Sequence, residues 1–213
     1  TVGVAVNAAG EIYVAGFTGD TLGGQVSQGR DDAFLVKYDG DGNLLWARQF
    51  GSSDIDSATG VALDPSGNAF VVGRSKGQMP DQTTVNSNDF YVAKFDANGN
   101  RLWIRQSGVT SGGGSPSDTA FAIAVDAGGN AYITGSINGT YAGQGDSSTG
   151  QDAYVIKYDP AGNRVMFSRI AGQGRDEGMG IAVSADGDTI YVVGKTLSDF
   201  DRPGYPNSIG CCH

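Results

Sequence analysis

The sequence predicts an all-β repeat protein, on three observations. First, a small-residue strand, a tight turn of the Asp-x-x-Gly-Asn kind and a strand led by Tyr or Phe recur four times, starting at Gly3, Gly60, Ala122 and Gly180. Second, the spacings are 57, 62 and 58 residues, and a period of this size is typical of repeat architectures. Third, the acids comprise 21 Asp but only 2 Glu, beside 35 Gly, which favours turns over helices.

A second recurring unit lies between these motifs and begins at Asp32, Asp89 and Asp152. Each copy contains an apolar run, another Asp-x-x-Gly-Asn turn and a second run with Trp or Met near its start. Runs rich in Val, Ile, Tyr and Phe and bounded by Gly, Asn and Asp are typical of strands. Every full repeat therefore holds four strands, A to D, and we expect Gly and Asn in its hairpin turns to adopt positive φ. The third copy is interpreted as carrying one inserted residue near its end, which makes Arg48, Arg105 and Arg169 equivalent.

Four-stranded antiparallel units at this period predict the blades of a β-propeller. Strand A alternates small with branched residues, as in Gly60 to Leu63, which suits the crowded axis. Strand C is apolar on both faces, as in Phe34 to Tyr38, which suits a middle strand covered by neighbouring blades. Strand D carries the bulky Trp46 or Trp103, which suits the wide outer gap between blades.

We expect about three and a half blades and therefore a partial ring. The predicted boundaries are 1–57, 58–117 and 118–177 for three blades, 178–197 for the first half of a fourth, and 198–213 for an irregular tail. The last strand, Ile190 to Val193, would lack a strand C beside it, and an unpaired edge invites another strand. Further sequence is the first explanation to test, and pairing with further copies is the second.

The motif from Gly60 to Gly73, its copies, and the run from Asp89 to Lys94 resemble the bacterial β-propeller repeats called SBBP. The likeness to NHL-type blades is more distant. The resemblance covers nearly the whole chain and implies that strand A is innermost and strand D outermost. It implies little about activity, because such repeats occur in bacterial surface and secreted proteins of mostly unknown role.

Composition argues against several classes of function. A net charge of −9 and a pI of about 4.4 disfavour nucleic acid, which requires a basic face. No apolar run approaches the roughly 18 residues that would span a bilayer. The one histidine, His213, allows neither a Ser-His-Asp arrangement nor a histidine metal cluster. We therefore predict no catalytic residue and no cofactor; a soft-metal site at Cys211, Cys212 and His213 is the alternative to an irregular tail.

The acidic turn formed by Asp39, Asp41 and Asn43 offers a calcium alternative, because alternate carboxylates supply hard oxygen ligands. An EF-hand loop would also need a bidentate Glu, and position 50 is Phe. The same turn recurs at 96–100 and 159–163 without its second acid. This recurrence favours a structural turn over a metal site.

Other charged residues recur in every repeat. A single functional pocket rarely needs the same residue in each blade, so these charges favour a structural role. Asp at the entry to strand A and Lys near the end of strand C are expected to form hydrogen bonds or ion pairs between blades. The B–C connections, by contrast, are long, polar and different in each repeat, and variable loops on a rigid scaffold usually carry binding. The candidate exposed aromatic residues are Phe17, Tyr141 and Tyr205. The recurring charges are Asp56, Asp118, Asp176, Lys37, Lys94 and Lys157.

These observations predict a non-enzymatic scaffold for protein interaction or for extracellular or cell-surface assembly in bacteria. Its partners would be another protein or further copies of the chain. Two alternatives remain open, a carbohydrate-binding propeller module that takes glycans and one part of a larger propeller enzyme.

Overall fold

A computed structural model describes residues 3–83, 88–109, 118–139, 141, 150–170 and 174–197. Within these ranges every regular element is a β strand, and the strands form three four-stranded sheets and one two-stranded sheet. The all-β prediction and the four-stranded blades are confirmed. The strands are β1 (Gly3–Val6), β2 (Ile12–Thr18), β3 (Asp32–Tyr38), β4 (Leu44–Phe50), β5 (Asp56–Leu63), β6 (Ala69–Ser75), β7 (Asp89–Phe95), β8 (Arg101–Ser107), β9 (Thr119–Val125), β10 (Ala131–Ile137), β11 (Asp152–Tyr158), β12 (Arg164–Ile170), β13 (Asp176–Val183) and β14 (Ile190–Thr196).

Each blade is an antiparallel meander in which neighbours in sequence are neighbours in space. The orders are β1-β2-β3-β4, β5-β6-β7-β8 and β9-β10-β11-β12, followed by the pair β13-β14. The first strands of successive blades contact one another along the chain, which places strand A on the inner side as predicted. No strand C or D follows β14 within the described residues.

The hairpin turns are built from a carboxylate and a glycine. In the C–D turn of the first blade, the Asp39 carboxylate accepts hydrogen bonds from the backbone N–H of Asn43 at 2.8 Å and from the Asn43 amide at 2.9 Å. Gly42 has φ of 86°, and the register shifts between Lys37 and Tyr38, so the turn closes with a bulge. The expectation of positive φ at Asn is wrong, because among the described residues only Asp81 combines a side chain with positive φ.

The apolar cores lie between blades rather than within them. One cluster joins the first two blades around Tyr13, Leu35 and Tyr91, and another joins the second and third around Phe90 and Tyr154. A single four-stranded sheet has two faces and cannot cover either one by itself. Each blade is therefore stabilised by burying its faces against its neighbours.

The strand bounds differ from the predicted blade bounds at two junctions. β5 begins at Asp56 and β13 begins at Asp176. Strand A therefore starts two residues earlier than the predicted starts of the second and fourth repeats, at 58 and 178. These aspartates are part of the sheet, since Asp56 pairs with Ser75 and Asp176 pairs with Thr196.

The third blade carries no insertion in strand D, contrary to the sequence interpretation. Met166 lies opposite Lys157 in the register, as Trp46 lies opposite Lys37. Arg169 lies opposite Tyr154, the position that Gln49 and Gln106 occupy in the first two blades. Ser168 is the true equivalent of Arg48 and Arg105. Arg169 lies one residue further along the strand, so the three arginines do not form a row.

Candidate functional site

The fourth strand of one blade holds the C–D turn of the next. Trp46 of β4 donates its indole N–H to the carbonyl of Ala97 at 3.2 Å. Arg48 Nε donates to the carbonyl of Gly99 at 2.8 Å, and a terminal guanidinium nitrogen donates to Asn98 at 3.0 Å. The guanidinium lies 5.4 Å from the centre of the indole ring, within cation–π range. We call this arrangement the Trp–Arg clamp.

The clamp is repeated between the second and third blades. Trp103 donates to the carbonyl of Pro160 at 3.1 Å, and Arg105 Nε donates to Gly162 at 2.9 Å. The turn glycine is required for the contact, because a Cβ on Gly99 would lie 3.0 Å from the ring of Trp46. The recurring Trp and Arg therefore serve blade packing.

Lysine and aromatic residues add a second contact at the same end of each blade. Lys37 pairs with Glu11 of its own blade at 2.8 Å and lies 5.2 Å from the centre of the Tyr13 ring. Its ammonium also donates to Ala97 of the next blade at 3.4 Å. Lys94 repeats the pattern with Asp64 at 3.4 Å. The lysine ion pairs lie within a blade, whereas the lysine hydrogen bonds to turn carbonyls cross between blades.

A pair of buried carboxylates lies at each blade junction. Asp32 begins strand C of the first blade and Asp56 begins strand A of the second, and both are fully buried. They approach each other at Gly51, where a Cβ would lie 2.6 Å from Asp56 Oδ2 and 2.7 Å from Asp32 Oδ1. The Ser52 N–H donates to Asp56 at 2.6 Å, and the Gln49 amide donates to Asp32 at 2.8 Å.

Asp89 and Asp118 form a second such pair around Gly108, and the buried Asp152 and Asp176 hold the equivalent positions at the third junction. Asp118 accepts the N–H of Val109 at 2.8 Å and that of Asn138 at 3.0 Å. Burial raises the pKa of Asp118 to about 6, and the neighbouring Asp89 carboxylate adds to the rise. At the third junction, Arg169 replaces the glutamine and pairs with Asp152.

These acids bear out the expected role of Asp56 and Asp118 in hydrogen bonding at strand A. Their partners at strand C, Asp32, Asp89 and Asp152, were missed as candidate residues, although the sequence repeats them faithfully. The signal available was an acid opening an otherwise apolar strand, because a buried charge there requires compensating donors. The pairs hold the chain at the junctions.

The A–B turns of all four blades line one open cleft of about 730 Å³. Its acids are already engaged by their own turns. Asp64 accepts from the Asn68 amide at 2.7 Å, and Asp126 accepts from the Asn130 amide at 2.7 Å and from the Tyr132 hydroxyl at 3.0 Å.

The calcium alternative falls on a turn whose first acid is satisfied internally. Both Asp39 oxygens accept hydrogen bonds within the turn, and the bonds from Asn43 lower the pKa of this carboxyl. Asp41 and Asn43 are exposed. Across the described residues, no group of three or more His, Cys, Asp or Glu side chains is arranged to hold a metal ion. A calcium ion at this turn would have to compete with those bonds.

The three aromatic candidates have different positions. Phe17 lies on β2 and is 49% exposed, so it is an exposed ring as expected. Tyr141 is buried, so its interpretation as an exposed ring is wrong: it packs against Phe167, with ring centres 4.8 Å apart, and against Phe90. Tyr205 lies outside the described residues, as do Cys211, Cys212 and His213.

The first and last described blades each present an apolar face. Val4 and Val6 of β1 are 66% and 61% exposed, whereas Val61, the equivalent of Val4 in the second blade, is 9% exposed. On β14, Tyr191 and Val193 are 58% and 68% exposed, although the equivalents of Tyr191 in the other blades are fully buried. Those equivalents are Tyr13, Phe70 and Tyr132. We call these surfaces the first open face and the last open face.

The described residues contain no helix with the length and hydrophobicity that crossing a membrane would require.

The chain is similar to a bacterial regulatory protein and to a solved structure, each over part of its length. The chain is 29% identical over 153 residues to the regulatory protein FlaEY of Caulobacter vibrioides, an alignment covering 67% of this chain and 15% of that protein. A solved structure of a protein of unknown function from Bacteroides caccae matches with a TM-score of 0.46 and 16% identity, covering 87% of this chain and 50% of that one. The chain thus spans only a small part of FlaEY and half of the Bacteroides protein.

Two segments of the chain, residues 45–78 and 102–141, match the family model of the SBBP beta-propeller repeat. Both matched segments run from strand D of one blade into the next blade, and they include the Trp and Arg of a clamp and the strand A acid of a junction, Asp56 or Asp118. The resemblance inferred from the motifs is confirmed in these two segments, each of which carries an SBBP-type β-propeller repeat.

Proposed function

We propose that this chain is a non-enzymatic scaffold that binds protein partners, further copies of itself among them, in a secreted or cell-surface assembly. The residues that recur in its blades are engaged in holding blades together: the clamp holds the C–D turns, and the acid pairs hold the junctions. This use of the charged residues favours a structural role over catalysis.

The observation that carries the proposal is the last open face. Tyr13 and Tyr132 donate their hydroxyls to the carbonyls of Gly67 and Gly187 in the following blade, at 3.4 and 3.2 Å. Tyr191 is their equivalent and is exposed together with Val193 and Met179. Large apolar side chains grouped on one exposed sheet face are typical of an interaction site. The name of the Caulobacter relative, a regulatory protein, agrees with a role in protein interaction.

Sedimentation velocity over a range of concentrations tests this proposal. The wild-type chain should associate, and Val193→Lys should shift it towards the monomer because a buried lysine in the contact is costly. Leu102→Lys is the matched control, since Leu102 is 52% exposed on β8 and lies outside both open faces. A wild-type chain that stays monomeric at every concentration would contradict association through copies.

A carbohydrate-binding role is the second candidate, and the exposed Phe17 ring supports it because sugars stack on aromatic faces. A glycan array separates the two functions. Glycan binding that is lost in Phe17→Ala and retained in Val193→Lys would favour the second candidate.

The proposed location and the enzyme alternative have tests of their own. Fractionation of source cells with an antibody to the chain should place it outside the cytoplasm. Hydrolytic activity that is lost on replacing one carboxylate would favour membership of a larger propeller enzyme.

A further inference from the structure

The C–D turn of the first blade differs from its two equivalents in its surroundings. Gly99 and Gly162 are buried under the Trp–Arg clamps of the preceding blades, whereas Gly42 is exposed and a Cβ on it would have no atom within 4 Å. The clamped carbonyls in the second and third blades correspond to those of Gly40, Asp41 and Gly42. Among the described residues, no side chain donates a hydrogen bond to these three carbonyls.

The charge of this turn also differs from its equivalents. The position that is Asn98 in the second blade and Ala161 in the third is Asp41 in the first. The carbonyls of Asn98 and Ala161 accept hydrogen bonds from the terminal guanidinium nitrogens of Arg48 and Arg105, at 3.0 and 3.4 Å. Asp41 is exposed and would place a carboxylate beside an arginine docked in the same way, where a charge-assisted bond is stronger than a neutral one.

The neighbouring strand supplies the apolar part of the same surface. Val4 and Val6 on β1 occupy the positions of Val61 and Leu63, which pack on the first blade. Gly10 occupies the position of Gly67, whose carbonyl accepts the Tyr13 hydroxyl. The first blade thus repeats each component that the second and third blades use to receive the blade before them.

We infer that the turn Asp39–Asn43, with Val4 and Val6, is a docking surface for a further blade of the same repeat type whose fourth strand carries Trp and Arg two residues apart. This inference deepens the proposed scaffold function, on which it rests, by naming the chemistry of one partner. The docked Trp donates to the carbonyl of Gly40, and the Arg donates to Gly42 and pairs with Asp41.

The need for Trp and Arg on the fourth strand restricts which blade can dock, and it does so more strictly than the exposed apolar residues do. Both Trp-x-Arg strands of this chain are already engaged, β4 with the second blade and β8 with the third. Strand β12 has Met166 and Ser168 in place of Trp and Arg. The described strands of a second copy therefore offer no free clamp, and the occupant is a separate blade.

An extended chain tests the inference while keeping the 213 residues intact. A second copy of residues 1–57 is placed ahead of Thr1, which preserves the 57-residue period and presents a free clamp to the turn. Amide hydrogen exchange at residues 40–43 is then compared with that of the original chain. We expect exchange there to slow by about tenfold or more, because docking buries the turn.

The matched control is the same extended chain with Trp46→Ala and Arg48→Ala in the added copy only. This control retains the apolar strand A and removes the clamp, so exchange at 40–43 should return to the rate in the original chain. In the extended chain with an intact clamp, Asp41→Asn in the original turn should give an exchange rate between that of the unsubstituted extended chain and that of the clamp-free control. The difference in exchange rate between this variant and the unsubstituted extended chain should shrink in high salt.

Two results would overturn the inference. One is an extended chain whose turn exchanges as fast as in the original chain, whether or not the added blade is ordered. The other is equal protection by the clamp-free control, which would assign docking to the apolar strand alone. Protection by the added blade in a chain that stays monomeric would support the inference and contradict association through copies, so the two proposals fail separately.

Discussion

The buried aspartate pairs place two carboxyl groups together at sites that are shielded from water. Asp56 illustrates the consequence: burial raises the pKa of its carboxyl, the Ser52 and Ser75 hydrogen bonds oppose the rise, and Asp32 adds to it. A buried carboxylate is tolerated when donors surround it, and here those donors come from the loop that joins two blades. Asp56 and Asp118 therefore tie the folding of the first two junctions to pH.

Asp118 should make the protein less stable as the pH rises towards neutrality. Its pKa is raised from 3.8 to about 6 in the folded protein, so its contribution is fully present below pH 3.8 and is lost as the pH rises through about 6. The loss from this group is about 3 kcal/mol. Urea unfolding of the wild type and of Asp118→Asn, measured from about pH 4 to 7.5, should show the variant gaining relative stability as the pH rises.

The exposed Asp41→Asn substitution is the control for removing one negative charge. It should leave the pH dependence of the wild type in place. Parallel stability curves for the wild type and Asp118→Asn would contradict the assignment to Asp118.

Gly51 should not tolerate a side chain. A Cβ at this position would lie 2.6 Å from Asp56 Oδ2 and 2.7 Å from Asp32 Oδ1, so Gly51→Ala forces the buried carboxylates apart. We expect a loss of about 2 kcal/mol or more in the free energy of unfolding. Gly40→Ala is the matched control, because its nearest atom would be at 3.5 Å. Equal effects of the two substitutions in denaturant unfolding would refute this account.

At the scale of the element, strand D contributes through side chains that reach the next blade. Arg105 spans the gap to donate to Gly162 and Ala161, while its own strand pairs with β7. The backbone of Arg105 therefore pairs within the second blade, whereas its guanidinium helps to pack the second blade against the third. The change to Ser168 in β12 removes this contact at a junction where, in the described residues, the fourth blade has no C–D turn.

Arg105→Ala should therefore destabilise the protein, and Ser168→Arg should not stabilise it. Loss of the charge-assisted bonds to Gly162 and Ala161 predicts a cost of about 1–3 kcal/mol in the free energy of unfolding. The added arginine in Ser168→Arg has no C–D turn of a following blade to bind among the described residues. Thermal and denaturant unfolding of both variants measures the two effects. A gain from Ser168→Arg comparable with the loss at Arg105 would show that the clamp does not need the turn.

At the scale of the whole molecule, stability is distributed over the contacts between neighbouring blades. The two apolar clusters meet in the second blade, which contributes Tyr91 to one and Phe90 to the other. Adjacent residues of a strand point to opposite faces of the sheet, so the central blade couples both junctions. Repeat proteins with nearest-neighbour contacts lose cooperativity when one interface is weakened.

Weakening the second junction should divide the unfolding transition in two. Trp103→Ala with Arg105→Ala removes the clamp between the second and third blades and leaves the first clamp intact. Differential scanning calorimetry should then show an early transition for the third and fourth blades and a later one for the first two. The matched double variant, Trp46→Ala with Arg48→Ala, should reverse which end unfolds first. A single two-state transition in both variants would contradict this coupling scheme.

Local pattern was sufficient to predict the strands, their order in each blade and the turns between them. Alternation of apolar residues sets strand and face, and the Asp-x-x-Gly-Asn motif closes its hairpin through bonds within five residues. The same reasoning failed at Arg169, because arginine spacing alone does not reveal which residue faces Asp152. It also failed at Tyr141, because a polar loop position did not indicate the Phe90 and Phe167 rings that cover it.

The repeat, the four-stranded blade and the SBBP resemblance follow from local sequence, since each depends on residues close together in the chain. Which partners those residues have depends instead on how the blades pack in three dimensions. Trp46 and Ala97 are 51 positions apart, and Asp32 meets Asp56 only when two blades pack. The exposure of Val4 and of the turn at Gly42 was likewise decided by packing, because an identical motif is buried or open according to whether a neighbouring blade covers it.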